Sequence, residues 1–148
     1  YGPRQSSRAV IPSIIIQALN NKKEIELGNI EPSRDFTYVT DTCNAFLDIL
    51  KIKNFFGNIL NVGSNTEYTI EDIAKKILAK LNYKANIKKE MQRVRSLKSE
   101  VVRLVCDNSK ILKHTQWKPE IKIEEGLDMT INWFREFKDL FKHDIYHV

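Results

Sequence analysis

The chain has 148 residues, 42% of them hydrophobic and 29% charged, a balance that supports one buried core and excludes wholesale disorder. No apolar run approaches the roughly 18 residues that a membrane-spanning helix needs. Net charge is +5 and unevenly spread: from Lys75 to Arg103 ten basic residues face two acidic ones, Glu90 and Glu100.

Such a cluster attracts polyanions. Its lysines, however, fall at helical solvent positions, and no series of aromatic side chains interleaves to stack bases. The expectation is a solvated face with a few phosphate-binding arginines, and no nucleic-acid partner. Cys43 and Cys106 lack the spacing of a metal site or a Cys-x-x-Cys pair. They read as reduced thiols of a cytoplasmic protein. Arg4 and Arg8 followed by a helix-like stretch do not read as a secretory leader.

Val10, Ile11, Ile14, Ile15, Ala18 and Leu19 form a wide apolar stripe that predicts a helix over 8–19. Pro12 falls in its first turn, where a missing N–H costs little. A short strand over 25–27 closes at Gly28, and a second, rich in aromatic and β-branched residues, is predicted over 34–39. Thr40 is the expected cap of the next helix, with Asp41 at its positive end and Cys43, Phe46, Leu47 and Leu50 as its apolar face.

After a turn around Gly57, residues 59–62 read as a short buried strand. Thr69 and Asp72 make a capping-box-like start for a helix over 70–81, buried through Ile73, Ala74, Ile77 and Leu81. A strand is expected over 86–89, a long loop over 91–100 and a strand over 101–105. A short helix to Lys113 follows, capped by Asp107 or Asn108, and the last helix runs from Ile123 to about Phe141. Strands alternate with helices, so the class is α/β. A strand as short and apolar as 59–62 belongs inside a parallel sheet, and the chain has too few such strands to build one alone.

Four segments occur in a telling order. They are Tyr1-Gly2-Pro3-Arg4, then Arg34-Asp35-Phe36-Thr37-Tyr38-Val39-Thr40-Asp41, then Ile59-Leu60-Asn61-Val62-Gly63-Ser64, then Asp107-Asn108-Ser109-Lys110 with Gln116-Trp117-Lys118-Pro119. Together they resemble the second half of an extended short-chain dehydrogenase/reductase, the nucleotide-sugar epimerase and dehydratase family. The resemblance implies that residues 1–148 are the C-terminal substrate-binding lobe of an extended Rossmann-type dehydratase or epimerase. The 59–62 strand and the helix before it would then pack on an N-terminal dinucleotide-binding domain. It also implies NAD in the intact protein, a nucleotide diphosphate sugar as partner and a homodimer.

The five glycines form no dinucleotide-binding loop. The family's catalytic pair is a tyrosine with a lysine four residues on. Here the residues four after Tyr1, Tyr38, Tyr68 and Tyr83 are Gln5, Thr42, Asp72 and Ile87, and Tyr146 is too near the end. The chain alone is therefore expected neither to bind NAD nor to turn over substrate.

By resemblance, Arg34 contacts the substrate's phosphates, as the planar guanidinium fork suits a diphosphate. A salt bridge to Asp35 is the competing account. Arg95 matches the later family arginine on the diphosphate or ribose, although Arg95-Ser96 stands where the family has Arg-Pro. Arg93 or Arg103 could share that role, and a solvated loop arginine is the plainer alternative. Arg8 and Ser6 sit where family members line the sugar pocket, with helix capping by the serines equally open. Tyr1 would border the cofactor site beside the nicotinamide, unless the segment through Pro3 only fixes a turn. Asn61 and Gly63 are assigned to packing, and Trp117 to a core anchor. His114, His143 and His147 lack partners for a triad or a metal site. The stretch 1–12, with Lys98-Ser99-Glu100, looks closest to dehydratases that start legionaminic-type acid synthesis. A 4-epimerase fragment and a non-catalytic nucleotide or nucleic-acid binding module are the alternatives.

Overall fold

The computed structural model describes residues 1–53, 55–90 and 100–141. The chain order is α1 (Val10–Leu19), β1 (Glu24–Leu27), β2 (Ser33–Asp35), α2 (Val39–Ile49), β3 (Glu67–Thr69), α3 (Ile70–Lys80), β4 (Asn86–Lys89), β5 (Arg103–Leu104), α4 (Ser109–His114) and α5 (Ile123–Glu136). A 3-10 turn follows at Lys138–Leu140. Arg95, Arg93, most of the expected loop 91–100, His143 and His147 lie outside the described residues.

The main core sits where α1, α3 and α5 meet β1. Ile11, Ile14 and Ile15 of α1 are fully enclosed with Ile25, Ile73, Ile77, Leu127 and Phe134. Helix α1 is apolar on nearly all sides, as a helix must be when neighbours cover most of its surface. Its one buried amide is satisfied: Gln17 Nε2 donates to Glu26 O at 3.1 Å, and Gln17 Oε1 accepts from Glu26 N at 2.8 Å. A helix side chain thus completes the free edge of β1, whose other edge pairs parallel with β4 from Glu24↔Asn86 to Leu27↔Lys89.

The second sheet is centred on β2. It runs antiparallel to β3 (Arg34↔Tyr68) and parallel to β5 (Arg34↔Leu104). Helix α3 begins with the expected capping box: Thr69 Oγ1 accepts from Asp72 N at 3.0 Å, and Asp72 Oδ2 from Thr69 N at 3.1 Å. Hydrogen bonds from the Thr69 hydroxyl and backbone hold the Asp72 carboxyl below its ordinary range. Lys76–Glu124 at 2.8 Å and Lys80–Asp128 at 2.7 Å tie α3 to α5 across the surface.

Several expectations fail. Helix α2 starts at Val39 with Tyr38 at the cap position, so Thr40 lies inside it and caps nothing. The stripe assigned to its buried face points outward: Phe46 is 65% exposed, Leu50 81%, and Leu47 and Cys43 are also exposed. Asp41, Ala45 and Ile49, four residues apart in turn, make the packed face instead. Residues 59–62 form no strand and Ile59 is 79% exposed, because among the described residues no strand lies beside them to pair with. The predicted strands over 34–39 and 101–105 shorten to Ser33–Asp35 and Arg103–Leu104.

Candidate functional site

The Arg34–Asp41 motif divides its work between structure and surface. Asp35 turns inward and accepts from Ser64 N (2.9 Å), Ser64 Oγ (2.6 Å), Asn65 N (2.8 Å) and Cys106 N (3.3 Å). It therefore bridges the loop after residue 62 to the segment after β5. Gly63 passes so close to Cys106 that a Cβ there would overlap the Cys106 Cβ and meet Asp35 Oδ2 at 3.0 Å. Burial, followed by the charges of Asp35 and Asp107, pushes the Cys106 thiol up and so favours its protonated form.

Asp41, 2% exposed, accepts from Glu120 N at 3.2 Å and Ile121 N at 3.0 Å. Its carbonyl receives the Trp117 indole N–H at 2.8 Å. Trp117 is thus the core anchor expected of it. Both carboxylates of the motif are consumed by loop anchoring.

Arg34 has a different fate. Its guanidinium donates to Ser33 O at 2.8 Å and to Glu100 Oε1 at 3.1 Å, not to Asp35, so the alternative of a salt bridge within the dipeptide gives way to one across the sheet. It lines an open cleft of about 380 Å³ between the start of α1, the β1–β2 connection and the start of α3. Arg8, Val10, Ser13, Leu27, Asn29, Pro32, Ile70 and Glu100 share the lining. The α3 N-terminus beside it is already satisfied, since Ile70 N donates to Pro32 O and Glu71 N to Ile30 O, both at 3.1 Å. Positive charge in the cleft therefore comes from two guanidiniums against the one carboxylate of Glu100.

Of the residues expected in a site, the fold brings Arg34 and Arg8 together. Ser6 stays exposed beside them, its Oγ accepting from Arg8 N at 3.3 Å in a local turn; it does not cap α1, which starts at Val10 without a side-chain cap. Tyr1 lies elsewhere. Its ring packs edge-on against Tyr38 at 5.4 Å and Phe36 at 6.5 Å, with its hydroxyl 3.5 Å from Ile123 O. The close fit needs Gly126 in α5, where a Cβ would overlap the Tyr1 hydroxyl. Burial, then nearby Tyr38 and Asp41, raises the Tyr1 phenol and keeps it protonated. The turn after Tyr1 is held by Val39 N donating to Tyr1 O at 2.8 Å, and by Gly2 at φ 147°, where a Cβ would press 2.6 Å from Val39.

Arg103 is taken up by Glu67, with contacts of 2.9–3.2 Å from its guanidinium, and does not line the cleft. Lys75, Lys76, Lys80 and Lys88 are likewise paired with acidic partners. With Arg103, five of the ten clustered bases are thus paired with carboxylates, which weakens the polyanion signal. A depression of about 410 Å³ lined by Lys23, Lys75, Tyr83, Lys84 and Asn86 offers only point charges and none of the expected residues. Among the described residues no group of His, Cys, Asp or Glu could hold a metal, and His114 faces the Phe55 ring at 4.7 Å. None of the five glycines lies in a strand-to-helix turn, the place where backbone N–H groups ordinarily cradle a dinucleotide's pyrophosphate. Sequence reasoning does not assign Ser13, Asn29 and Glu100 to the cleft, because only helix packing, loop path and strand pairing bring them beside Arg34.

Comparison with known proteins shows what the chain is similar to as a whole. Human dTDP-D-glucose 4,6-dehydratase is 34% identical over 92% of the chain and 39% of its own length. A putative UDP-glucose 4-epimerase of Methanocaldococcus jannaschii is 30% identical over 91% of the chain and 43% of its length. The chain thus spans about two-fifths of the curated relatives it matches. Among solved structures, Bacillus anthracis dTDP-glucose 4,6-dehydratase in complex with NAD superposes with a TM-score of 0.83 at 27% identity, covering 94% of this chain and 43% of that one. Bacillus cereus UDP-glucuronic acid 4-epimerase in complex with UDP-glucuronic acid and NAD gives 0.83 at 25% identity, covering 93% and 43%. Residues 1–130 match the family described as GDP-mannose 4,6 dehydratase, and the chain belongs to that family of Rossmann-type nucleotide-sugar dehydratases and epimerases.

Proposed function

We propose that this chain is the nucleotide-sugar-binding lobe of an NAD-dependent nucleotide-sugar 4,6-dehydratase. The observation that carries the reading is the convergence of Arg34 and Arg8, from different elements, on one cleft with polar Ser13 and Asn29 on its wall. A diphosphate places two negative charges close together, and guanidinium forks grip such oxygens bidentately. The lobe's part is to bind and orient the substrate. The NAD site and the acid/base tyrosine belong to residues outside these 148, since neither a glycine loop nor a Tyr-x-x-x-Lys pair is in the sequence. Arg95 joins Arg34 on the diphosphate, Ser6 borders the sugar, and the backbone around Tyr1 borders the nicotinamide. The working enzyme is a cytoplasmic homodimer.

Similarity of residues 1–12 and Lys98-Ser99-Glu100 to legionaminic-type dehydratases favours dehydration across the sugar's carbons 5 and 6. The epimerases among the relatives support 4-epimerisation as the second reading. A binding module for nucleic acid is disfavoured by the pairing of the lysine face. The test is calorimetric titration of a nucleoside diphosphate into the intact enzyme and its Arg34→Ala variant. Loss of roughly 1.5–3 kcal/mol, the scale of a charged hydrogen bond, is expected. An unchanged dissociation constant would return Arg34 to a purely structural role.

A further inference from the structure

We infer that Glu100 is a positioning residue for Arg34, holding its guanidinium in the orientation that receives the ligand's phosphates. The inference rests on the nucleotide-sugar reading above. Glu100 Oε1 takes one N–H of the fork at 3.1 Å, and Ser33 O takes another at 2.8 Å. Among the described residues these two contacts use two of the five guanidinium donors, and we assign the others to the ligand. The side chains are 23% and 14% exposed, half-sunk in the cleft wall and not free on the surface.

Backbone pairing sets this contact. Ser33 N donates to Val102 O at 2.9 Å, and Ser33↔Arg103 and Arg34↔Leu104 lie in register, so Glu100 arrives beside Arg34 as the lead-in to β5. An arginine surrenders much rotamer freedom when it grips an anion, and a fork already fixed surrenders less. A carboxylate near a phosphate repels it, so the charge of Glu100 works against binding. Its benefit is orientation, which charge-conserving and shape-conserving variants separate.

The experiment measures nucleoside diphosphate affinity for the intact enzyme with Glu100→Ala, Glu100→Asp and Glu100→Gln, each alone and with Arg34→Ala, with the phosphate-free nucleoside as control. Glu100→Ala and Glu100→Asp should each weaken binding about tenfold, the first by losing the acceptor and the second by drawing it back one methylene. Glu100→Gln keeps reach and acceptor and should retain affinity within about threefold. Once Arg34 is alanine, no Glu100 variant should matter, and the bare nucleoside should be indifferent throughout. Glu100→Gln as weak as Glu100→Ala, Glu100→Ala as tight as the unmutated enzyme or tighter, or a loss that persists without Arg34 would each overturn the inference. If Arg34→Ala alone changes nothing, or the unmutated enzyme does not bind, the reading of the cleft itself fails.

Discussion

Replacing Gly63 by alanine should damage the fold out of proportion to one methyl group. The added Cβ would overlap the Cys106 Cβ, an atom fixed to the backbone, as well as the more mobile Sγ at 2.7 Å and Asp35 Oδ2 at 3.0 Å. Relief therefore requires the segment after β5 to move, which strains the Cys106 N–H to Asp35 bond and the 2.8 Å Asn108 Nδ2–Gly63 O bond. Overpacking costs roughly 1–3 kcal/mol, and loosening a hydrogen bond to a carboxylate adds about 1.5 kcal/mol. The lower unfolded-state entropy of alanine returns about 0.5–1 kcal/mol. The net expectation is a loss of about 1.5–4 kcal/mol, against a stability on the order of 5–15 kcal/mol for a domain. Urea unfolding followed by far-ultraviolet dichroism should show a midpoint lowered by about 1 M or more at constant slope. Cys106→Ala should rescue little, because its Cβ stays in place, whereas Cys106→Gly should recover part of the loss. A Gly63→Ala midpoint within experimental error of the unmutated protein would refute the close approach.

The capping box gives a pH signature. Asp72 is held below its ordinary range, so its contribution is present above the unfolded value near 4 and disappears as pH falls through the folded one. Thr69→Ala should cost about 1 kcal/mol at pH 7 and progressively less below pH ~4 in a series of thermal melts. A pH-independent penalty would argue against the reciprocal bond. The outward face of α2 leaves Phe46, Leu47 and Leu50 exposed, and Phe56 beyond the helix is 93% exposed. Residues 1–148 alone should therefore self-associate in light scattering and Phe46→Glu with Leu50→Glu should reduce it; a monodisperse monomer at high concentration contradicts this. The same 148 residues should show no saturable fluorescence or calorimetric response to micromolar NAD and form no 4-keto product; either signal would mean that a cofactor cradle exists without a glycine loop.

Local chemistry alone determined a good part of this protein. The apolar stripe of α1, the Thr69–Asp72 box and the Trp117 anchor were legible because each depends on neighbours in sequence or on one large apolar ring. The family, too, was legible from four short segments in order. The face of α2 was not, because Phe46 and Leu50 have the periodicity of a core stripe, and burial depends on what lies opposite. Here it is the small Ala45 and the buried Asp41, held by backbone N–H groups roughly eighty residues away, that pack. Residues 59–62 failed as a strand for a related reason: a strand exists only where another backbone accepts its hydrogen bonds. Arg34 was expected at the phosphates and Arg8 at the sugar pocket, both by resemblance, but the partner of Arg34 was not. Arg34 meets Glu100, sixty-six residues away, because β2 and β5 lie side by side, a pairing that no local spacing encodes.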